Sequence, residues 1–245
     1  MPPGKRATLE DYPEHHHGFP DEFRVERKAV TLRTTVTDKI RNAIALGYFK
    51  PGERLPERAL CEMTDVSRTL VREALRQLES ERIIEIVPHR GPAVARLDRN
   101  EVIGLYQVRR QLESLGVQLF IDNASQEDMT RLRAALDEIR AASQSDDQIR
   151  RIKAKNLFYA ALIEGAHNKS LGACLDLLNS QIILLRARSL RSPGRMQKSI
   201  EELEELVAAI FRRDRETAGE LAILHVTNAE AEALAHFDDV DPPRR

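Results

Sequence analysis

The sequence is short of cysteine, of long apolar runs and of net charge, and each shortage closes off a class of protein. Its two cysteines, Cys61 and Cys174, lie far apart, so neither a disulfide framework nor a cysteine-based zinc site is available. No stretch approaches the roughly 18 apolar residues of a membrane span, and the N-terminus lacks a signal-peptide apolar region. A cytoplasmic protein with no membrane partner is therefore expected. With 38 Lys+Arg against 39 Asp+Glu, the formal charge of −1 excludes a uniformly basic coat for a polyanion. A glycine-rich phosphate loop and a placeable Ser–His–Asp pattern are also missing, so an enzyme is not expected. Glu201, Glu202, Glu204 and Glu205 flank Leu203 and Leu206 and read as a solvated face, not as an acid–base pair.

What is there suffices for two compact domains: 245 residues, 42% of them hydrophobic and 31% charged. The charge is unevenly spread. Residues 31–97 carry 12 basic and 9 acidic side chains, whereas residues 98–245 carry 21 and 24. Any polyanion contact is expected in the first of these segments. Residues 1–30 hold Pro2, Pro3, Pro13 and Pro20 without a helical period and read as a flexible tail, as do residues 237–245. His15, His16 and His17 in that tail read as solvated, because a specific metal site needs ligands preset by structure.

From Thr37 the chain becomes periodic. Ile40, Ala43, Ile44 and Gly47 form a helical stripe that Lys50-Pro51-Gly52 stops. A short helix follows from about Glu57 to Met63. A third begins after the N-cap Ser67, with Leu70, Val71, Ala74, Leu75 and Leu78 on one face. Two β-prone runs, Ile83–Val87 and Ala93–Arg96, surround Pro88-His89-Arg90-Gly91-Pro92, a hairpin signal. Three helices and a hairpin over residues 31–97 predict a winged helix-turn-helix. Beyond Leu97 the pattern is helical to about His236. Stripes run through Val102, Leu105, Val108, Leu112, Leu115 and Leu119, then Met129 to Ile139, Leu157 to Leu162, Leu171 to Leu185, Ile200 to Ile210 and Ala218 to Leu234. Residues 98–236 thus read as an all-α bundle, and the fold class as mostly α.

On the third helix Arg68, Arg72 and Arg76 recur every four residues on the face opposite the apolar stripe, with Thr69 beside them. A helix in a major groove needs this pattern, with guanidinium forks for phosphates or for guanine O6 and N7. Arg58 on the preceding helix and Arg90-Gly91 at the hairpin tip add cations from two further elements. The stretch from Pro51 to Ile84 resembles the winged helix-turn-helix of the GntR family of bacterial transcription regulators. Pro51-Gly52, Leu55, Leu60, Val66-Ser67-Arg68-Thr69, Val71-Arg72-Glu73-Ala74-Leu75 and Leu78 fall at the family's spacings. The resemblance implies DNA contacts from Arg58, Arg68, Thr69, Arg72 and Gly91, to which the hairpin position adds Arg90. Asp65 stands where a turn glycine is common, and Asp tolerates the left-handed conformation. Leu70 stands where proline is usual.

The second half looks like the FCD helical effector domain of the FadR subfamily, through Val108-Arg109-Arg110-Gln111-Leu112-Glu113, Phe158, Asn168, Ala209-Ile210 and Asp214 to His225. That resemblance implies a homodimer bound to palindromic double-stranded DNA and a small-molecule pocket, often for an organic acid. Many members hold a divalent metal there. The ligand positions here are Lys155, Tyr159, Leu203 and His225, and only His225 matches; no metal and no cofactor are expected. Glu164 and His167 would be substitutes, but His167-Asn168 falls at a helix end. An anionic effector would then need Arg109, with Tyr159, Arg186 and His225 as further contacts. The bland alternative is that Arg109 and Glu113 merely stabilise their helix, that His225 is a core histidine, and that the domain only dimerises.

Overall fold

The computed structural model describes residues 27–189, 194–235 and 237. The histidine run at residues 15–17 and most of both expected tails lie outside them. Helix α1 (Arg27–Ala45) begins well before the expected Thr37 and takes up the end of the first tail. The β-branched run Thr34–Thr37 hides that start, since such residues are poor helix formers. Packing decides instead, because Val36, Ile40 and Ile44 are all buried on one side. Thr37 bonds its hydroxyl to the carbonyl of Arg33 at 3.0 Å.

Two shorter helices follow, α2 (Glu57–Thr64) and α3 (Arg68–Ser80). Asp65 ends α2 in the left-handed conformation (φ 54°) and returns its N–H to the carbonyl of Cys61, as the residue type allows. Ser67 caps α3 by accepting from the Leu70 N–H at 3.4 Å, a bond that a proline at this position would forfeit. Strands β1 (Ile84–Val87) and β2 (Gly91–Val94) pair antiparallel, with Ile84 opposite Val94 and Val87 opposite Gly91. The second strand starts two residues earlier than the apolar run suggests. Pro92 pairs with Ile86 and accepts from Leu55 N–H at 2.8 Å. Glu53 and Gly52 bond Val94 as well, so the hairpin is laced to the segment before α2. Val36, Ile40, Ile44, Leu55, Leu60, Val71, Leu78 and Ile83 form the core of this half.

The other half comprises α4 (Arg99–Asn123), α5 (Gln126–Ser143), α6 (Gln148–Gly165), α7 (Lys169–Ser189), α8 (Arg195–Phe211) and α9 (Arg215–Ala235). Capping boxes at Asp98–Glu101 and Ser125–Asp128 start α4 and α5. The principal core runs through Phe120, Leu132, Ile139, Phe158, Leu175, Leu203 and Ile210. The expected stripe on α4 is displaced by one residue. Its inward side is Val102, Tyr106, Arg109, Glu113, Val117 and Phe120, whereas Val108 is 51% and Leu115 41% exposed. Leu157 on α6 is likewise exposed, with Phe158 inward instead.

A basic helical face and a buried polar cluster

Helix α3 presents its polar side to solvent because its apolar residues are consumed by the core at Val71, Ala74, Leu75 and Leu78. Arg68, Thr69, Arg72 and Arg76 are exposed. One carboxylate organises two of them. Glu57, in the first turn of α2, accepts from Arg72 Nε at 2.8 Å and lies 3.7 Å from Arg68 Nε. Arg58 projects from α2, 86% exposed, and pairs with Glu62 at 2.9 Å. Surface pairs of this kind are weak and exchange readily for a stronger anion. Arg68 and Arg72 thus stand side by side on one carboxylate, and Arg58 adds an exposed guanidinium from the preceding helix.

At the hairpin tip, Arg90 N–H closes a turn on the carbonyl of Val87 at 3.0 Å, and the Arg90 side chain is exposed. His89 and Gly91 both have positive φ, 60° and 81°, so the tip is tightly bent and Gly91 leaves its backbone bare. A Cβ on Gly91 would lie 4.0 Å from Arg54 Nη2. Arg54 is therefore a further wing-side cation, which sequence spacing did not reveal because it precedes α2.

Within the helical half, three of the four expected effector residues come together. Arg109 is buried (3% exposed) and bonds Glu113 at 2.5 Å, with its guanidinium 5.3 Å from the Tyr159 ring centre. Burial works against the Arg109 charge, but Glu113, together with Tyr159 and Tyr106, outweighs it and holds its pKa above the ordinary value. Tyr159 Oη lies 2.9 Å from His225 Nε2. The opposite ring nitrogen, Nδ1, is 2.5 Å from Glu202. Arg186 belongs to α7, but its side chain lies outside the described residues.

Glu202 corrects the reading of a solvated glutamate cluster. It turns inward and binds Arg195 through both oxygens at 3.0 Å, and Asn228 at 2.9 Å. Burial would raise its pKa, but the bonds from His225, Arg195 and Asn228 prevail and hold it down at about 2. Beside it, Lys155 Nζ donates to Ser199 Oγ at 2.8 Å. No sequence signal joins these partners, which lie on three different helices, α6, α8 and α9.

The cluster does not fit a divalent metal. Burial foremost lowers the His225 pKa, so at neutral pH the ring is uncharged. An ionised Glu202 only accepts, which makes Nδ1 the donor; Nε2 then accepts from the Tyr159 hydroxyl and its lone pair is engaged. Lys155 adds a cation where the family pattern places a carboxylate. His167 is turned elsewhere, 3.1 Å from Asp128 near the start of α5. Among the described residues no group of three or more His, Cys, Asp or Glu is placed to hold a metal ion.

A two-strand wing on three helices, joined to a six-helix bundle with a buried polar centre, defines a class of regulator. Residues 32–94 match the gntR family of bacterial regulatory proteins, and residues 104–228 match the FCD domain. The chain belongs to the GntR family of transcription regulators, in its FadR subfamily with an FCD C-terminal domain. It is a DNA-binding transcriptional regulator and not an enzyme. It is 29% identical over 219 residues to the HTH-type transcriptional regulator YdhC of Bacillus subtilis, covering 88% of this chain and 96% of that protein. It is 28% identical to the Uxu operon transcriptional regulator of Escherichia coli, with 82% and 86% covered. Among solved structures, a GntR transcriptional regulator of Rhodococcus sp. RHA1 superposes with a TM-score of 0.71 at 26% identity, covering 84% and 98%. E. coli McbR/YncC shares the fold, with a TM-score of 0.75 at 22% identity over 84% and 98%. No described helix is long and apolar enough to cross a membrane.

Proposed function

We propose that this regulator is a cytoplasmic repressor that binds a palindromic operator as a homodimer and responds to a small organic acid. Residues 31–97 form the DNA-binding domain in this reading, and residues 98–236 the sensing and dimerising domain. Arg68, Arg72 and Thr69 enter the major groove, Arg58 takes the backbone, and Arg90 with Gly91 brings the wing to the minor groove. Relatives point the same way for direction of control, among them the galactonate operon transcriptional repressor and the transcriptional repressor GlaR of E. coli, although the Glc operon activator is also similar.

The observation that carries the sensing role is the cluster of buried Arg109, Glu113, Tyr159 and His225 with half-buried Lys155 and Glu202. Buried charges are costly, and a domain built only to dimerise has no need of them. Arg109 supplies the fork for a carboxylate, Tyr159 and His225 supply hydrogen bonds, and Arg186 stands as a fourth contact. Lys155 and Ser199 join them, and no metal takes part. The competing reading, dimerisation alone, is favoured by one feature: Arg109 and His225 already have partners inside the protein.

For dimerisation, α4 offers an outer seam. Leu105, Val108, Leu112 and Leu115 alternate in steps of three and four, the spacing of a helix-pairing stripe, and two of them are largely exposed. The deciding experiment is thermal unfolding of the full chain with galactonate, gluconate or lactate, alongside Arg109→Met. A rise in Tm with one of these acids that Arg109→Met removes is expected. No shift with any of them would favour dimerisation alone.

A further inference from the structure

Helix α6 touches both halves of the molecule with one side. Tyr159 and Lys155 reach the buried polar cluster, through His225 and Ser199. Ile152, three residues before Lys155 and so one turn along the same face, is 4% exposed. It belongs to the apolar core of the DNA-binding half, with Val36, Ile40 and Ile44 of α1 and Leu75 and Leu78 of α3. Ile152 of the helical half is therefore part of the apolar cluster that also holds the inner face of the recognition helix.

A second contact lies beside the first. An open groove of about 280 Å³ is lined by Tyr159 and Asn156 of α6, Asp176 and Asn179 of α7, and Arg41 of α1. Arg41 in turn clamps Glu81, with bonds of 3.0 and 2.7 Å from one guanidinium nitrogen to both carboxylate oxygens. Glu81 is the C-terminal cap of α3. The far end of the recognition helix is thus tied to α1 at the point where α1 faces Tyr159.

We propose that α6 relays the state of the buried polar cluster to the recognition helix, with Lys155 and Tyr159 as input, Ile152 as the joint, and Arg41–Glu81 as the output. The proposal rests on the reading of that cluster as a sensor. Packed interiors pass displacement poorly by bending and well by moving whole helices. α6 runs 18 residues from Gln148 to Gly165, with Ile152 at one end and Tyr159 past its middle. A shift at Tyr159 is carried to Ile152 along two unbroken helical turns. Because Ile152 fills part of the other half's core, α1 and α3 have to accommodate it.

The test needs no ligand. Tyr159→Phe deletes one hydroxyl from the cluster at nearly constant volume, and amide hydrogen exchange of the full-length protein reads the response. Exchange in peptides covering Val36–Ala45 and Gln77–Ile84 is expected to change by about three- to tenfold, although neither contains a residue of the cluster. Placing Tyr159→Phe on an Ile152→Ala background should cancel that change while leaving the local change in α9 intact. Should Ile152→Ala fail to fold, Ile152→Met keeps the volume and alters the shape, and the response should shrink. An undiminished response in either background, or none in Tyr159→Phe alone, overturns the relay. Galactonate, gluconate or lactate binding without a response in α1 would overturn the relay and leave sensing standing. A response in Tyr159→Phe with no acid bound would support the relay while removing the sensing role.

Discussion

The carboxylate of Glu57 accepts a hydrogen bond from Arg72 Nε at 2.8 Å, joining α2 to α3. The same carboxylate lies 3.7 Å from Arg68, so one anion holds two arginines of the recognition helix in a defined posture. This pair raises the Arg72 pKa, through the hydrogen bond first and the charge second. In the proposed DNA complex, a phosphate or a guanine would compete with a side chain already in place.

Glu57→Gln should therefore bind duplex DNA of random sequence more tightly, by about three- to tenfold at low salt, and discriminate an operator from it less well. Fluorescence anisotropy at two salt concentrations reads both. Unchanged discrimination would reduce Glu57 to a solvated neighbour.

Arg72→Ala should abolish retention of the selected operator in a gel shift and lessen the salt dependence by about one counterion. Its side chain is 58% exposed, so the melting temperature should stay put. Retention at the wild-type level would remove Arg72 from the contact set.

Acid should weaken the helical half in a defined window. Glu202 titrates at about 2 in the folded chain against 4.5 for an ordinary glutamate. Its contribution is complete above pH 4.5 and is lost as the pH falls from there towards 2, on the order of a few kcal/mol. His225, with a lowered pKa, adds in the same direction, since the unfolded ring takes up a proton first as the pH drops below about 6.5. Urea unfolding at pH 7, 5 and 3 should show stability falling stepwise, and Glu202→Gln should flatten the lower part. A flat profile in the wild type would contradict the arrangement.

Leu115→Arg should convert the proposed homodimer to monomers in sedimentation velocity, since it sets a charge in the outer seam of α4. A variant that sediments like the wild type would place the dimer contact elsewhere.

Gly165→Ala should destabilise by about 1–3 kcal/mol. The added methyl would stand 2.3 Å from a carbon of the buried Phe120 ring. Equilibrium denaturation measures this, and an unchanged midpoint would mean that the ring can yield.

The parts legible in the sequence were those whose causes are local. The cap at Ser67, the tolerated left-handed turn at Asp65 and the four-residue arginine spacing on α3 all act within one or two helical turns, so the winged half could be read from spacing. The rotation of α4 was not readable by apolar periodicity, because Arg109 and Glu113 occupy the inward side while Val108 and Leu115 stay out. Glu202 escapes the local pattern for a related reason. Its bonds to Arg195, His225 and Asn228 reach 7, 23 and 26 residues along the chain. A glutamate beside three others then looks like solvent-facing charge. The early start of α1 was masked by threonines whose helix is imposed by burial.

The hairpin's lacing to Gly52, Glu53 and Leu55 carries a mechanical consequence. A free β-ribbon would swing on its base, whereas this one is sewn into a third length of chain and shares its body with α3. Wing and reading helix are thereby coupled as one tool, so any displacement passed into α3 is handed on to the hairpin tip as well.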